Sequence, residues 1–371
     1  MSPKIRAVLF FFSITLFVLS LSSCAPRRAE ASEALPALTL VADWDALSPV
    51  TAPPVLTRWK DKTLLVVATS EGALSAREVP GGAVLWSVDT GVSFESPPLV
   101  VDDRVYAASL DGTLFAVDIE TGKVLARASG LGQIKGGLVA DPSGKALYAG
   151  SYDNCLYRIS VPELAVVWRF KADNYINGRP SVLSDGNVAF GSCDGNFYLV
   201  DPVSSRELAR VAASSYIPST PAIGPGNVVF FAGYEGDLTA WSLRAGTRWK
   251  VADDSFGPAT APAVYSRDRV FIADQKGKVL AFASGTGKRL WSFEAGTAIE
   301  FEMIPTPGAL IAASSGGNIF MLKPDTGEEL FSCAIGGTPS HGGALLDSWF
   351  VVGTSTGKVL LFRADFGKER K

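Results

Sequence analysis

The sequence predicts an all-β fold: an eight-bladed β-propeller of four-stranded antiparallel blades, its last blade closed by the N-terminal strand. Three observations predict it. Tight-turn residues recur about every 41 residues, small and apolar residues hold fixed offsets from them, and the last repeat lacks an outer strand that the N-terminal segment can supply.

The chain opens with material that is not part of that ring. Residues 1–23 carry Lys4 and Arg6 ahead of an apolar run from Ala7 to Leu21, the pattern of a signal peptide. The run is short for a membrane span, which needs about 20 apolar residues. Leu21-Ser22-Ser23-Cys24 follows at once and resembles a bacterial lipobox, which implies cleavage before Cys24 and acylation of that cysteine. More than one acyl chain gives a stable anchor, where a single chain holds marginally. Ala25, with no Asp after the cysteine, resembles the signal for retention in the outer membrane. Residues 24–37 therefore read as lipidated Cys24 and a flexible tether, small, charged and Pro-flanked. Residues 38–371 read as one propeller.

Within the ring, the turn residues are Gly72, Gly112, Asn154, Gly195, Gly236, Gly277, Gly317 and Gly357. Glycine and asparagine are the residues that best tolerate positive φ, as a hairpin turn demands. Four residues earlier stands Ala68, Ala108, Gly150, Gly191, Ala232, Ala273, Ala313 or Gly353, small as expected where strands crowd a neighbouring sheet. Two residues after each turn comes an apolar residue, from Leu74 in the first repeat to Val359 in the last. A second turn then leads to an outer strand with an aromatic at Trp86, Trp168, Trp249, Trp291 or Phe331, replaced by Ala126 and Ala209 in two repeats. Pro97, Pro180, Pro221 and Pro262 open the first strand of their repeats, where a missing N–H costs least. The last repeat ends after Phe362, and Leu38–Leu47 contains Trp44, 42 residues ahead of Trp86. That segment is expected to latch the ring and remove its exposed sheet edge.

Composition agrees with such a ring. Apolar residues make up 47% of the chain and charged ones 19%, and 37 glycines and 22 prolines favour short strands joined by turns. The net charge of −3 and the lack of a basic cluster argue against a nucleic-acid partner. Cys155, Cys193 and Cys333 form no CxxC pair. Cys155 and Cys193 fall in adjacent blades but in different repeat columns, so spacing alone does not pair them.

The segments Asp111–Ala126 (DGTLFAVDIETGKVLA) and Lys276–Trp291 (KGKVLAFASGTGKRLW) resemble the PQQ-like propeller repeat. With a lipobox, a short tether and eight repeats, the chain resembles the BamB family of outer-membrane lipoproteins. That resemblance implies a non-enzymatic scaffold without cofactors, on the periplasmic side of the outer membrane. It also implies a partner, the barrel-forming subunit with POTRA domains, whose barrel insertion it assists. The family's partner-facing loops connect blades in the central part of the ring. Its hydrophobic-x-hydrophobic-Arg and Asp-x-Asp segments are not recognisable here, so only the loops carry over.

Two such loops stand out. Tyr175 and Ile176 precede Pro180 at the same spacing as Tyr216 and Ile217 precede Pro221, among otherwise polar residues. Exposed aromatic and aliphatic pairs there are the expected partner anchors. The same face carries Glu71, Asp111, Asp153, Asp194 and Glu235, read either as a charge field or as residues that simply suit turns.

Two other functions compete. A quinoprotein dehydrogenase would need calcium held by six to eight oxygens and often a vicinal cysteine pair, and no matching acidic loop or Cys-Cys is present. The single histidine, His341, has no catalytic partner at a recognisable spacing. The second rival is an envelope lipoprotein that binds another protein or a glycan, which the repeat alone does not separate from the scaffold.

Overall fold

The structure, a computed structural model, describes residues 36–46, 48–252 and 255–366. The signal-peptide segment and Cys24 lie outside the described residues. Among these residues the strands form eight separate four-stranded antiparallel sheets. The first blade shows the pattern: Val55–Trp59, Lys62–Ala68, Ala73–Val79 and Val84–Asp89, paired in sequence order from the axis outward.

The middle strands read as unbroken apolar runs because both their faces are covered by neighbouring blades. Leu64, Leu65, Val66, Val67 and Ala68 are all buried. Leu64, Val66, Leu74 and Trp86 of the first blade share one cluster with Val105, Phe115 and Val117 of the second. The core is therefore a set of interblade layers rather than one central mass.

Every expected hairpin-turn residue has positive φ, between 74° at Asn154 and 94° at Gly72. At the second turn, Leu164 and Ser205 adopt φ of 58° in the two blades that lack its glycine. Outer-strand tryptophans tie four of the blades to the one that follows. Trp86, Trp168, Trp249 and Trp291 each donate Nε1–H to a carbonyl of the following blade, those of Ile119, Pro202, Ser284 and Pro324, at 2.7–3.0 Å.

Closure follows the expected route. Ala37–Asp45 pairs antiparallel with Lys358–Asp365, running from Ala37 opposite Asp365 to Asp45 opposite Lys358. Val50, Leu65 and Val67 then pack with Val351, Val359 and Leu361 across the joint. The register corrects one detail. Trp44 faces Val359, whereas Trp86 faces Ala76, so Ala42 rather than Trp44 occupies the place of Trp86. The closing strand is supplied from outside the repeat and carries its own irregularity between Leu40 and Ala42. Trp44 still reaches the next blade, because a Cβ on Gly82 would fall 2.3 Å from its Nε1.

The small-residue column also has a more specific cause than crowding by a neighbouring sheet. A Cβ on Gly150 would lie 2.3 Å from Ile176 Cγ2, one on Gly191 2.2 Å from Ile217 Cγ2, and one on Gly353 2.5 Å from Val50 Cγ1. These glycines make room for side chains that descend from the blade-connecting loops.

Candidate functional site

Alternating strand direction places the hairpin turns and the blade-connecting loops on one face. Each loop there is bonded to both hairpins beside it. The Ile176 N–H donates to the Ser151 carbonyl at 3.1 Å, while the Tyr175 carbonyl accepts from Cys193 at 2.8 Å. One blade further on, Ile217 donates to Ser192 at 3.0 Å and Tyr216 accepts from Tyr234 at 2.9 Å. Extended backbone sends successive side chains to opposite sides. Tyr175 and Tyr216 therefore point outward, at 47% and 37% exposure.

Ile176 and Ile217 point inward and are fully buried, which corrects the expectation of exposed pairs. They hold the loop down over Gly150 and Gly191, and of each expected pair only the tyrosine stays at the surface. Each tyrosine has an aromatic neighbour that sequence reasoning missed. Tyr175 stacks on Tyr152 with centroids 5.0 Å apart and planes at 18°, and Tyr216 on Tyr234 at 4.4 Å and 21°. The available signal was Tyr152 and Tyr234 at the same offset, two residues before the turn residues Asn154 and Gly236.

The stacks are further fixed by polar contacts. Tyr152 donates its hydroxyl to Asn177 Oδ1 at 2.5 Å, and Lys135 Nζ lies 5.4 Å from the centroid of the Tyr152 ring while pairing with Glu95 at 3.1 Å. Loss of hydration, then the hydrogen bond with Tyr234, pushes the Tyr216 phenol up to about 12. Burial raises Tyr152 as well. At these two places the face presents ordered, pre-stacked aromatic rings.

The acidic turn residues divide the same way. Asp153 accepts from the Cys155 N–H at 3.0 Å and from the Tyr157 hydroxyl. Asp194 accepts from the Asn196 N–H at 2.8 Å, the Tyr198 hydroxyl at 2.6 Å and the Asp173 N–H at 3.1 Å. Although burial opposes it, these bonds hold the Asp194 carboxyl below its usual range. Asp111 is held low in the same manner by Ser109 and Thr113. At these three positions the carboxylate is spent on tying the turn, which favours the turn explanation over a charge field. Cys155 and Cys193 are free thiols.

Beneath the rim lies an axial cavity of about 640 Å³, lined by the segments that lead into the inner strands of all eight blades. Arg179 and Glu302 belong to segments three blades apart and form an ion pair at 3.2 Å, so the pair crosses the cavity. His341 lines it too, edge-on to Phe301 at 5.8 Å, and burial pushes its imidazole down to about 3. Among the described residues no group of three or more His, Cys, Asp or Glu is arranged to hold a metal.

Eight four-stranded blades, the last completed by the N-terminal strand, define a β-propeller whose loops are clamped over one face and display aromatic pairs on it. The chain belongs to the PQQ-repeat family described as outer membrane protein assembly factor BamB, whose model matches residues 42–292 and 194–348. Curated relatives of that name are 24% identical over 234 residues in Shewanella oneidensis and 23% identical over 303 residues in Salmonella typhimurium. Each match covers 62% of this chain; it spans half of the Shewanella protein and 74% of the Salmonella one. The crystal structure of BamB from Moraxella catarrhalis superposes with a TM-score of 0.74 at 15% identity, covering 88% of this chain and all of that one. The computationally designed protein Ika8 superposes at 0.71 with 18% identity, covering 86% of this chain and 97% of that one, which shows the ring as a fold independent of role.

Proposed function

We propose that this chain is a non-enzymatic scaffold lipoprotein of the outer-membrane β-barrel assembly machinery. In this reading Cys24 is acylated and holds the protein to the periplasmic face of the outer membrane. The blade-connecting loops around Tyr175 and Tyr216 bind the barrel-forming subunit through its POTRA domains. The family match across residues 42–348 carries the reading. The rim supports it physically, because stacked aromatic side chains are already ordered and lose little freedom when a partner covers them.

The test is purification of the tagged, full-length protein from its own outer membrane in mild detergent, with co-purifying proteins identified by mass spectrometry. Recovery of a POTRA-bearing barrel protein that is lost in Tyr175→Ser/Tyr216→Ser supports both scaffold and rim. Recovery without that loss discards the rim. Absence of any barrel partner, in a sample that retains other envelope proteins, overturns the scaffold reading and favours a lipoprotein that binds another protein or a glycan.

A further inference from the structure

The outer strands carry a second surface, at the opposite end of the blades from the tyrosine rim. In every blade the outer strand carries a bulge against the third strand, and the register aligns the bulge residues across the ring. Val84 faces Arg77, Val124 faces Val117 and Val166 faces Ile159, each just past the irregularity. Leu40, facing Phe362, holds the same place in the closing strand. The residue after each of these is unpaired with the third strand and turned outward: Leu85, Leu125, Val167 and Val41. These eight aliphatic side chains are 39–54% exposed.

The other half of the ring differs at the same positions. Beside the bulge, blades four to seven carry Glu207, Thr247, Arg289 and Glu329, all exposed. Of the residues that follow them, only Leu290 is an exposed apolar one. The first of these positions is thus exposed in all eight blades, yet four consecutive blades, eight, one, two and three, place an aliphatic residue there and a second exposed one after it. Packing does not explain the contrast at the first position, where the side chain is exposed in every blade.

We propose that this half-ring strip rests on the lipid surface of the membrane that carries the anchor. The inference rests on reading Cys24 as the acylation site. The described chain begins at Pro36, four residues before Leu40, at the same end of the blade as the strip. Eleven residues lie between Cys24 and Pro36, and a chain of that length reaches at most about 40 Å. The strip begins in the blade that receives the tether and continues away from it for three blades, on the convex outer wall of the ring. Such a wall suits a deformable acyl and headgroup boundary, into which short aliphatic side chains can sink. Because the strip lies at the end of the blades opposite the tyrosine rim, docking through it would leave the rim uncovered.

The test uses the mature chain from position 24 with Cys24→Ser, so that the strip acts without the anchor. It is sedimented with vesicles of phosphatidylethanolamine and a minority of phosphatidylglycerol. The expected result is vesicle binding that persists at high salt and falls at least about tenfold in Val84→Glu/Val124→Glu/Val166→Glu. Tyr175→Ser/Tyr216→Ser should bind vesicles as the parent does, which keeps this result separate from the rim. A parent chain that stays in the supernatant overturns the proposal, as does a triple variant that binds equally well. A triple variant that keeps vesicle binding and loses a co-purified protein assigns the strip to a protein partner instead.

Discussion

Trp86 donates its indole N–H to the Ile119 carbonyl of the next blade at 2.7 Å, and its ring presses on the following turn so closely that a Cβ on Gly122 would fall 2.7 Å from it. One side chain therefore imposes two demands on its neighbour, an open acceptor and a residue without a side chain. Gly122 also has φ of 72°, so its backbone and its surroundings both exclude other residues.

Those demands separate experimentally. Gly91 has φ of 70° and open space where a Cβ would stand. Gly91→Ala should cost only the left-handed backbone penalty, about 1–2 kcal/mol, while Gly122→Ala adds about 1–3 kcal/mol of overpacking. Trp86→Ala should cost about 3–5 kcal/mol. Urea midpoints at constant m-value measure all three; equal costs for the two glycine substitutions would show that the indole contact carries no weight.

The closing strand should act as a latch with one critical face. Leu38 is buried with Ile311, Phe350 and Phe362, while Leu40, two residues on, is half exposed. Leu38→Asp should destabilise the ring by more than about 3 kcal/mol, as an unpaired buried charge does, and Leu40→Asp should stay within about 0.5 kcal/mol. Removal of residues through Asp45 leaves the Lys358–Asp365 edge unpaired. Size-exclusion chromatography of that truncation should show association rather than a compact monomer.

The repeat was legible because its turns constrain chemistry more tightly than its strands do. A positive-φ position accepts Gly or Asn and little else, so Gly112 or Asn154 marks a blade even where Ala126 replaces the outer-strand tryptophan. Trp44 was misaligned because the strand that closes the ring does not share the spacing of the repeat, and an irregularity at Val41 shifts its register. At the rim, Tyr175 and Ile176 read as one exposed pair because a linear sequence does not show which side of an extended loop faces the core. The glycine at 150 carried that information, since it makes room for Ile176, but only the fold brings the two together.

That contact yields a coupling prediction. Ile176→Ala alone removes a fully buried side chain and should cost about 2–5 kcal/mol. Gly150→Ala alone forces its methyl against Ile176 and should cost about 1–3 kcal/mol. Combined, the new methyl occupies space the isoleucine vacated, so the double variant should cost less than the sum by about 1 kcal/mol or more. Strict additivity in a double-mutant cycle would mean that the loop shifts away rather than packing down.

His341 should make stability depend on pH in a definite window. Its folded-state value is about 3, lowered by burial from an ordinary 6.5, so the unfolded chain binds a proton that the folded ring refuses. The contribution of the neutral imidazole is fully present above pH 6.5 and is lost progressively as pH falls toward 3. The slope in that window approaches about 1.4 kcal/mol per pH unit. Carboxylates such as Asp111 and Asp194, held low by their hydrogen bonds, also surrender stability at acid pH, but from below their usual range of about 4. The comparison of the parent with His341→Gln isolates the histidine, because both chains share every carboxylate. Between pH 6 and 5, where the carboxylates contribute least, the urea midpoint of the parent should fall with decreasing pH and that of His341→Gln should hold nearly level. Parallel curves through that interval would mean that the imidazole accepts a proton inside the ring, and that the axial cavity hydrates it as well as bulk water does.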